Sequence, residues 1–500
     1  MVQSAMSWVA PSPVGSGVAA GGGDGSGCLR EAVLAGPVSG VLVEDGLRAG
    51  LLTDLVGGNT VGVALAQAGH VDGRRRVLTG MVTVLTVLGL CLFRSEGYDS
   101  VLARVLPLLP GVLAPGAPVP TASALSQART RLHGDVLGTL FAATAGAGND
   151  AGAPGVTWLG LELTVFDGTV VDLAATPEIA AEFAVPSGGR FPQARLVTLA
   201  LCGTRRVRAA AVDSCAVSEQ ALVDRLAEAL EPGTLNLADR NFFAMRRWIA
   251  FAATGAHLAW RVKNGAKSLP AKIIEVLADG SQLVRLRESD SMCYARRRAT
   301  GDATLARLPD TIARLVEFTL AVTDGRGRTR TSRFRILTTL LDHHTHPARQ
   351  IAALYAERWQ AEVVYYRIKV TLRGPGVRLR GQTPALARQE IWGLLVVYNA
   401  LCDLATRTAV ALGVDPDEIS FVAVLRLTRT HFGADTGCRN CGHRPADPVD
   451  ALVTAIAAHP RNRTGRQRTS PRTKAQRRTE HTRDVSYTIE IVPSNLPKTE

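Results

Sequence analysis

Cysteine, lysine and aromatic residues are all scarce in this chain. Eight Cys in 500 residues, six of them scattered singly, exclude a disulfide-stapled scaffold and fit a reducing compartment. Only six Lys stand among the 57 basic residues, so the positive charge is almost wholly arginine; a GC-rich coding bias, which the abundant Ala, Gly and Val also fit, explains part of that. Nothing near the start resembles a basic stretch followed by an apolar one, so no secretory leader is expected. A long apolar run is missing as well. The nearest candidate, residues 77–93, is 17 residues long, holds three Thr and two Gly, and lies between Arg74-Arg75-Arg76 and Arg94. That length is at the short limit for a membrane span, and a buried helix is the better reading. A soluble, cytoplasmic, nucleoid-associated protein with no membrane partner is expected.

The remainder is a globular composition, with 46% apolar and 20% charged residues, which excludes a disordered chain. The length suits two to four domains. A net charge of +13 and a pI near 9.8 call for a polyanionic partner, most simply nucleic acid, with an anionic membrane surface as the alternative.

Along the chain, residues 30–142 read mainly as helices, broken by prolines at 107, 110, 115, 118 and 120. A small-residue linker follows at 145–155. The pattern then turns to strands: 158–167 ends in Asp167, the turn at 202–204 joins a hairpin, and 234–238 ends at Asp239. Further strands are expected at 257–262, 272–277, 282–287, 315–322 and 334–341. From residue 347 to about 372 the apolar period returns to that of a helix, and apolar helices run on over 383–411.

Two Asp at the ends of adjacent strands converge on one point, as hard oxygen ligands of Mg²⁺ must. An Asp ending a strand is more often a turn residue, so each alone says little. The helix says more. Tyr355, Arg358, Glu362 and Lys369 stand at offsets 0, 3, 7 and 14, which at about 100° per residue gathers them within roughly 60° of one face. Trp359 falls about 40° to the other side of Tyr355, while Leu354, Ala361, Val364, Ile368 and Leu372 form the opposite, apolar face. The stripe is roughly 21 Å long, too long for all four residues to meet one ion. It can place one carboxylate on a metal and align the others with a phosphate backbone; the plain alternative is a solvated face with an Arg358–Glu362 pair.

Tyr-x2-Arg-x3-Glu-x6-Lys resembles the signature of the bacterial insertion-sequence DDE transposases of the insertion sequence four family. Phe166-Asp167-Gly168-Thr169 resembles that family's first-aspartate motif, and Ala238-Asp239-Arg240-Asn241-Phe242 its second. The stretch 77–106 is similar to the family's N-terminal helical domain, so the likeness covers roughly residues 35 to 430. The resemblance implies an α/β fold: a ribonuclease-H-like catalytic core, a mixed sheet flanked by helices, interrupted by a β-rich insertion and preceded by an all-helical domain. The expected domains are a disordered N-terminus (1–30), a helical DNA-binding domain (31–143), a linker (144–155), the core (156–255 and 342–430), the insertion (256–341) and a C-terminal region with a basic tail (431–500).

It also implies a DNA transposase that hydrolyses phosphodiesters and transfers strands at the ends of its element. Asp167, Asp239 and Glu362 would act as catalytic acids holding two Mg²⁺, with Mn²⁺ as a substitute. Tyr355, Arg358, Trp359 and Lys369 would contact DNA. Its partners would be the inverted repeats, target DNA and a second copy in a homodimer. The rival is a DNA-binding protein that keeps the fold without catalysis.

Four other features carry weaker signals. Asp172 competes with Asp167 as the first acid but lacks the Gly-Thr turn. Asp342, His343, His344 and His346 lack the spacing of a helical zinc site and read as a loop. Cys438, Cys441 and His443, with His431 nearby, make half a zinc site and more simply a surface turn. Residues 461–484 carry nine basic and two acidic side chains, a solvated tail able to touch phosphates.

Overall fold

The computed structural model describes residues 56, 58–73, 77–109, 112–114, 116–132, 135–146, 152–265, 269–323, 327–432, 448–461 and 486–498. Arg74-Arg75-Arg76, Cys438, Cys441, His443, residues 1–30 and most of the basic tail lie outside that set.

Eleven strands form one sheet: β1 (Thr157–Trp158), β2 (Leu161–Asp172), β3 (Gln193–Leu201), β4 (Val207–Ser214), β5 (Thr234–Ala238), β6 (His257–Arg261), β7 (Ala271–Val276), β8 (Gln282–Leu286), β9 (Thr311–Thr323), β10 (Thr329–Thr338) and β11 (Ser486–Ile491). Their order is β4-β3-β2-β5-β6-β10-β9-β8-β7, with β1 on β2 and β11 on β9. β2, β3 and β4 are antiparallel, while β2, β5 and β6 run parallel. Three antiparallel strands followed by two parallel ones is the ribonuclease-H-like arrangement, and the fold is α/β of that type.

A buried polar chain fixes the register of the parallel strands. Asn236 Nδ2 donates to Thr164 Oγ1 at 3.0 Å, and Trp260 Nε1 donates to Asn236 Oδ1 at 2.9 Å. Because side chains alternate along a strand, the sheet has two different faces. Phe166, Ala238 and Trp260 join one apolar core; Val165, Leu237 and Ala259 join the other.

β2 does not end at Asp167 as the sequence reading expects: it runs on to Asp172, and Asp167 stands within the strand, paired with Thr198 of β3. Two further strand assignments differ from that reading. β6 pairs in parallel with β5, so residues 257–261 continue the core sheet. β10 then returns antiparallel to β6, so the insertion extends the core sheet without a break. The insertion also holds an unanticipated helix, Asp290–Thr300, capped by Ser289 and too charged to show an apolar stripe.

Residues 77–93 give the helix Gly80–Leu92, started by Thr79, whose side chain accepts the Val82 N–H. It is buried nearly all round and packs on the long Pro384–Leu412 helix, where Gly393 lets the Cys91 sulfur approach. Thr383, Pro384 and the left-handed Gly413 supply the start and stop of that long helix. Among the described residues it alone is long and apolar enough to cross a membrane, and 78% of its apolar window is buried within the fold. Its Glu390, itself buried, takes Arg94 at 2.9 Å and Arg129 at 3.2 Å, which ties the N-terminal helices to the long helix.

Candidate active site

The last paired residues of β2 and β5 are Val165 and Leu237, and both strand paths continue two residues to an aspartate. Asp167, within β2, and Asp239, just past the end of β5, therefore come from neighbouring parallel strands, on the face of Val165 and Leu237. Each carboxylate accepts the backbone N–H that follows it: Gly168 N to Asp167 at 3.0 Å, and Arg240 N to Asp239 at 2.7 Å. Asp172, the competing first acid, lies exposed at the end of β2 and accepts Gln193 Nε2 at 2.7 Å.

The helix that covers this face runs without a break from Ala348 to Leu372, yet not at one pitch. It is α-helical over Ala348–Leu354, tightens to a 3₁₀ turn over Tyr355–Trp359, returns to α over Gln360–Tyr366 and widens to a π turn over Arg367–Leu372. A regular helix was the expectation. The pitch changes fall where side chains are tied to the sheet. Tyr355 Oη donates to Ala238 O at 3.2 Å, Tyr365 Oη donates to Asp167 O, and Lys369 Nζ donates to Thr169 Oγ1 and Val170 O, both at 3.0 Å. Local π turns of this kind recur at functional sites.

Two tyrosine hydroxyls thus pin the helix beside each aspartate, and Glu362 lies between the pins. Ala361, Val364 and Ile368 pack into the same core as Val165 and Leu237, as the apolar stripe foretells, and Tyr365 joins them there. Tyr355 and Lys369 were expected on DNA phosphates. In the structure Tyr355 is buried, and the polar atoms of both hold strand backbone or Thr169. Arg358, Trp359 and Glu362 keep partial exposure, and Arg358 and Glu362 lie close enough to Asp167 to act on its charge.

Charge is concentrated here. Burial pushes the Asp167 carboxyl up to about 7, helped by Glu362 and Glu219 and opposed by the Gly168 N–H and Arg358. Burial works against the Arg358 charge, but Tyr355, Asp239, Asp167 and Glu362 together hold its pKa above the ordinary value. One guanidinium is therefore shared electrostatically by all three acids.

Two participants escape sequence reading. Glu219, at the start of the Glu219–Asp224 helix, lies directly over Gly168: a Cβ there would come 2.0 Å from its Oε1. Asn241 Nδ2 holds the other oxygen at 3.4 Å. The glycine of Asp167-Gly168-Thr169 was the available signal, since a missing side chain marks a close approach. Arg261, ending β6, brings its guanidinium to 3.9 Å from Asp239. Asp342 and the three His form the turn leading into the helix, with Asp342 accepting the His344 N–H at 2.9 Å.

The insertion element 4 transposase N-terminal family matches residues 47–142, and the transposase DDE domain family matches residues 158–400. The transposase InsG for insertion sequence element IS4 from Escherichia coli strain K12 is 29% identical over 399 residues, covering 77% of this chain and 84% of that protein. The chain belongs to the insertion-sequence-four family of DDE transposases. A solved piggyBac transposase synaptic complex with hairpin DNA aligns over 81% of this chain and 83% of that one, at 8% identity and a TM-score of 0.37. The transposase acts on DNA, and membership of the DDE class implies use of a divalent metal.

The donor set fits such an ion: carboxylate oxygens only, with Asp167 buried among like charges that a cation would relieve. Among the described residues no three Asp, Glu, His or Cys side chains are gathered closely enough to grip an ion as they stand. The acids share a space and have not closed on a point.

Proposed function

We propose that Asp167, Asp239 and Glu362 are the catalytic acids and that they hold two divalent ions, Mg²⁺ or in its place Mn²⁺. When bound, such ions supply Lewis-acid charge for in-line attack on a phosphodiester and for its leaving oxygen. The observation that supports this reading is the parallel register of β2 and β5, which ends two residues before Asp167 and Asp239, together with the helix bearing Glu362, which is tied to both strands through Ala238 O and Asp167 O.

The protein's own part is positional and electrostatic. The sheet fixes the two aspartates, and the tyrosine pins fix the helix. Arg358 balances the acids while no ion or DNA is there, and turns its fork to a phosphate when DNA enters. Trp359, beside it, offers a ring to an unpaired base at the element end, a contact worth about 1–3 kcal/mol. Tyr355 and Lys369 act through the helix they anchor. The substrate is the inverted repeat at each end of the element, then target DNA; the working form is a homodimer that holds both ends together. Nicking at the end frees a 3′-hydroxyl, which serves as the next nucleophile in cut-and-paste transposition.

The test uses a duplex carrying the inverted repeat that flanks the coding sequence. Asp167→Asn, Asp239→Asn and Glu362→Gln should each stop first-strand nicking in Mg²⁺ while end binding persists. Near-parental nicking by any of them removes that residue from the triad.

A further inference from the structure

Among the described residues two non-glycine residues take a left-handed φ, the exposed Leu159 at +48 and the buried Arg205. Arg205 adopts φ +62, a left-handed conformation that a residue with a side chain rarely takes, and it is only 6% exposed. Such outliers persist where surrounding contacts over-determine them, and they gather at functional sites. Arg205 follows the turn Cys202-Gly203-Thr204 between β3 and β4. The long Pro384–Leu412 helix grips this loop: Tyr398 Oη donates to Arg205 O at 2.9 Å, and Asn399 exchanges two bonds with the Val207 backbone at 2.9 and 2.8 Å. The guanidinium is ion-paired with buried Asp417, and its Nε donates to Gln360 Oε1 at 2.8 Å.

Gln360 is the hinge of the catalytic helix. It is buried, it closes the 3₁₀ turn over Tyr355–Trp359, and it opens the α segment two residues before Glu362. A 3₁₀ turn advances about 120° per residue against about 100° in an α-helix. Over five residues the difference is roughly 100°, enough to decide whether Glu362 faces the aspartates or turns away. We propose that Arg205 is a positioning residue of the reaction: through Gln360 it holds the helix in the phase that turns Glu362 toward Asp167 and Asp239. The strained backbone of Arg205 is what aims its guanidinium at that hinge. This inference rests on Glu362 being the third acid.

Arg205→Ala would leave Asp417 buried without its cation and can fail to fold, so the decisive variant is Gln360→Met, which keeps the volume and removes the acceptor. It also removes the bond from Gln360 Nε2 to Glu357 at 3.2 Å, so Glu357→Ala, which should bind Mn²⁺ as the parent does, is run as the control. Full-length protein is bound to the inverted-repeat duplex, and Mn²⁺ binding to that complex is followed by electron paramagnetic resonance beside a gel-shift measurement of end binding. The expected result is a half-saturating Mn²⁺ concentration raised roughly fivefold or more, with end affinity within about twofold of the parent. First-strand nicking should fall in step and recover partly at high Mn²⁺. Parental Mn²⁺ binding by Gln360→Met overturns the proposal, and so does joint loss of end binding, which would make the contact one of general folding. Glu362→Gln is run alongside: if it binds Mn²⁺ as the parent does, the assignment of the third acid fails, and the positioning role fails with it.

Discussion

The aspartates and the glutamate reach the same space under different control. Asp167 lies within β2 and Asp239 just past β5, strands whose positions are fixed by continuous ladders and by the buried Thr164–Asn236–Trp260 chain. Glu362 rides on a helix whose bonds to the sheet come from a few side chains: two tyrosine hydroxyls, one lysine and, through Gln360, an arginine. The sheet half of the site is rigid because its backbone is paired. The helix half is adjustable because side-chain ties can be lost one at a time without unfolding a strand. The signature Tyr-x2-Arg-x3-Glu-x6-Lys divides accordingly, with its first and last residues holding the helix and its middle two facing the site.

The largest expected effect is on the rigid side. Asp167→Asn should cut nicking on the order of a thousandfold or more, because it removes the charge proposed to hold the ions. The same change should raise metal-free stability at pH 8 by about 1–3 kcal/mol, since it removes a buried carboxylate crowded by Glu362 and Glu219. Thermal melting beside a nicking assay checks both. A variant that loses activity and stability together would show that Asp167 supports the fold.

Gly168→Ala comes next. Its new Cβ meets Glu219 Oε1 at 2.0 Å, so either Glu219 or the strand must shift. Nicking should fall roughly tenfold to a hundredfold, as displaced reacting groups do. Adding Glu219→Ala should restore much of it, and a double-mutant cycle measures the coupling. Additive losses would mean that the glycine matters for another reason.

Lys369→Met sharpens the division of the signature. As a helix anchor it should reduce nicking several-fold and leave the salt dependence of end binding unaltered. A phosphate contact would instead lower the salt slope by about 1. Tyr355→Phe is the parallel case: about 1 kcal/mol of stability lost with its bond to Ala238, and end affinity unchanged.

The smallest effect belongs to the insertion, far from either half. The Arg296 fork holds the Glu288 carboxyl down at about 2, against an ordinary value of 4.5. A depressed acid stabilises the fold above its unfolded value and loses that contribution as pH falls through about 2. Glu288→Gln should therefore melt earlier than the parent at pH 7, with the gap closing in acid and nicking unchanged.

What the sequence revealed follows the same division. Asp239 at a strand end and the helix stripe were legible because each is a local pattern, whereas β2 runs on past Asp167 to Asp172, a continuation fixed by its pairing with β3. The pitch changes were not legible either, since they depend on where Ala238, Asp167 and Thr169 happen to stand across the site. Glu219 was hidden for a related reason: one acidic residue at a helix start reads as a cap charge until Gly168 is seen beneath it. β11 pairs with β9 across more than 160 residues of chain, a partnership that no window of sequence contains. Helix Gly80–Leu92 was recognisable as buried, but not that Glu390 would join its neighbours Arg94 and Arg129 to the long helix.

The central claim is that acids from sheet and helix form one metal centre. Iron-directed cleavage tests it most directly: Fe²⁺ replaces Mg²⁺ in the complex with the inverted-repeat duplex, ascorbate and peroxide are added, and the cut protein is mapped by mass spectrometry. The account predicts backbone cuts beside Asp167, beside Asp239 and beside Glu362 in the same sample, all lost on competition with excess Mg²⁺. Cuts beside the two aspartates without one near Glu362, or cuts in other segments altogether, would contradict it.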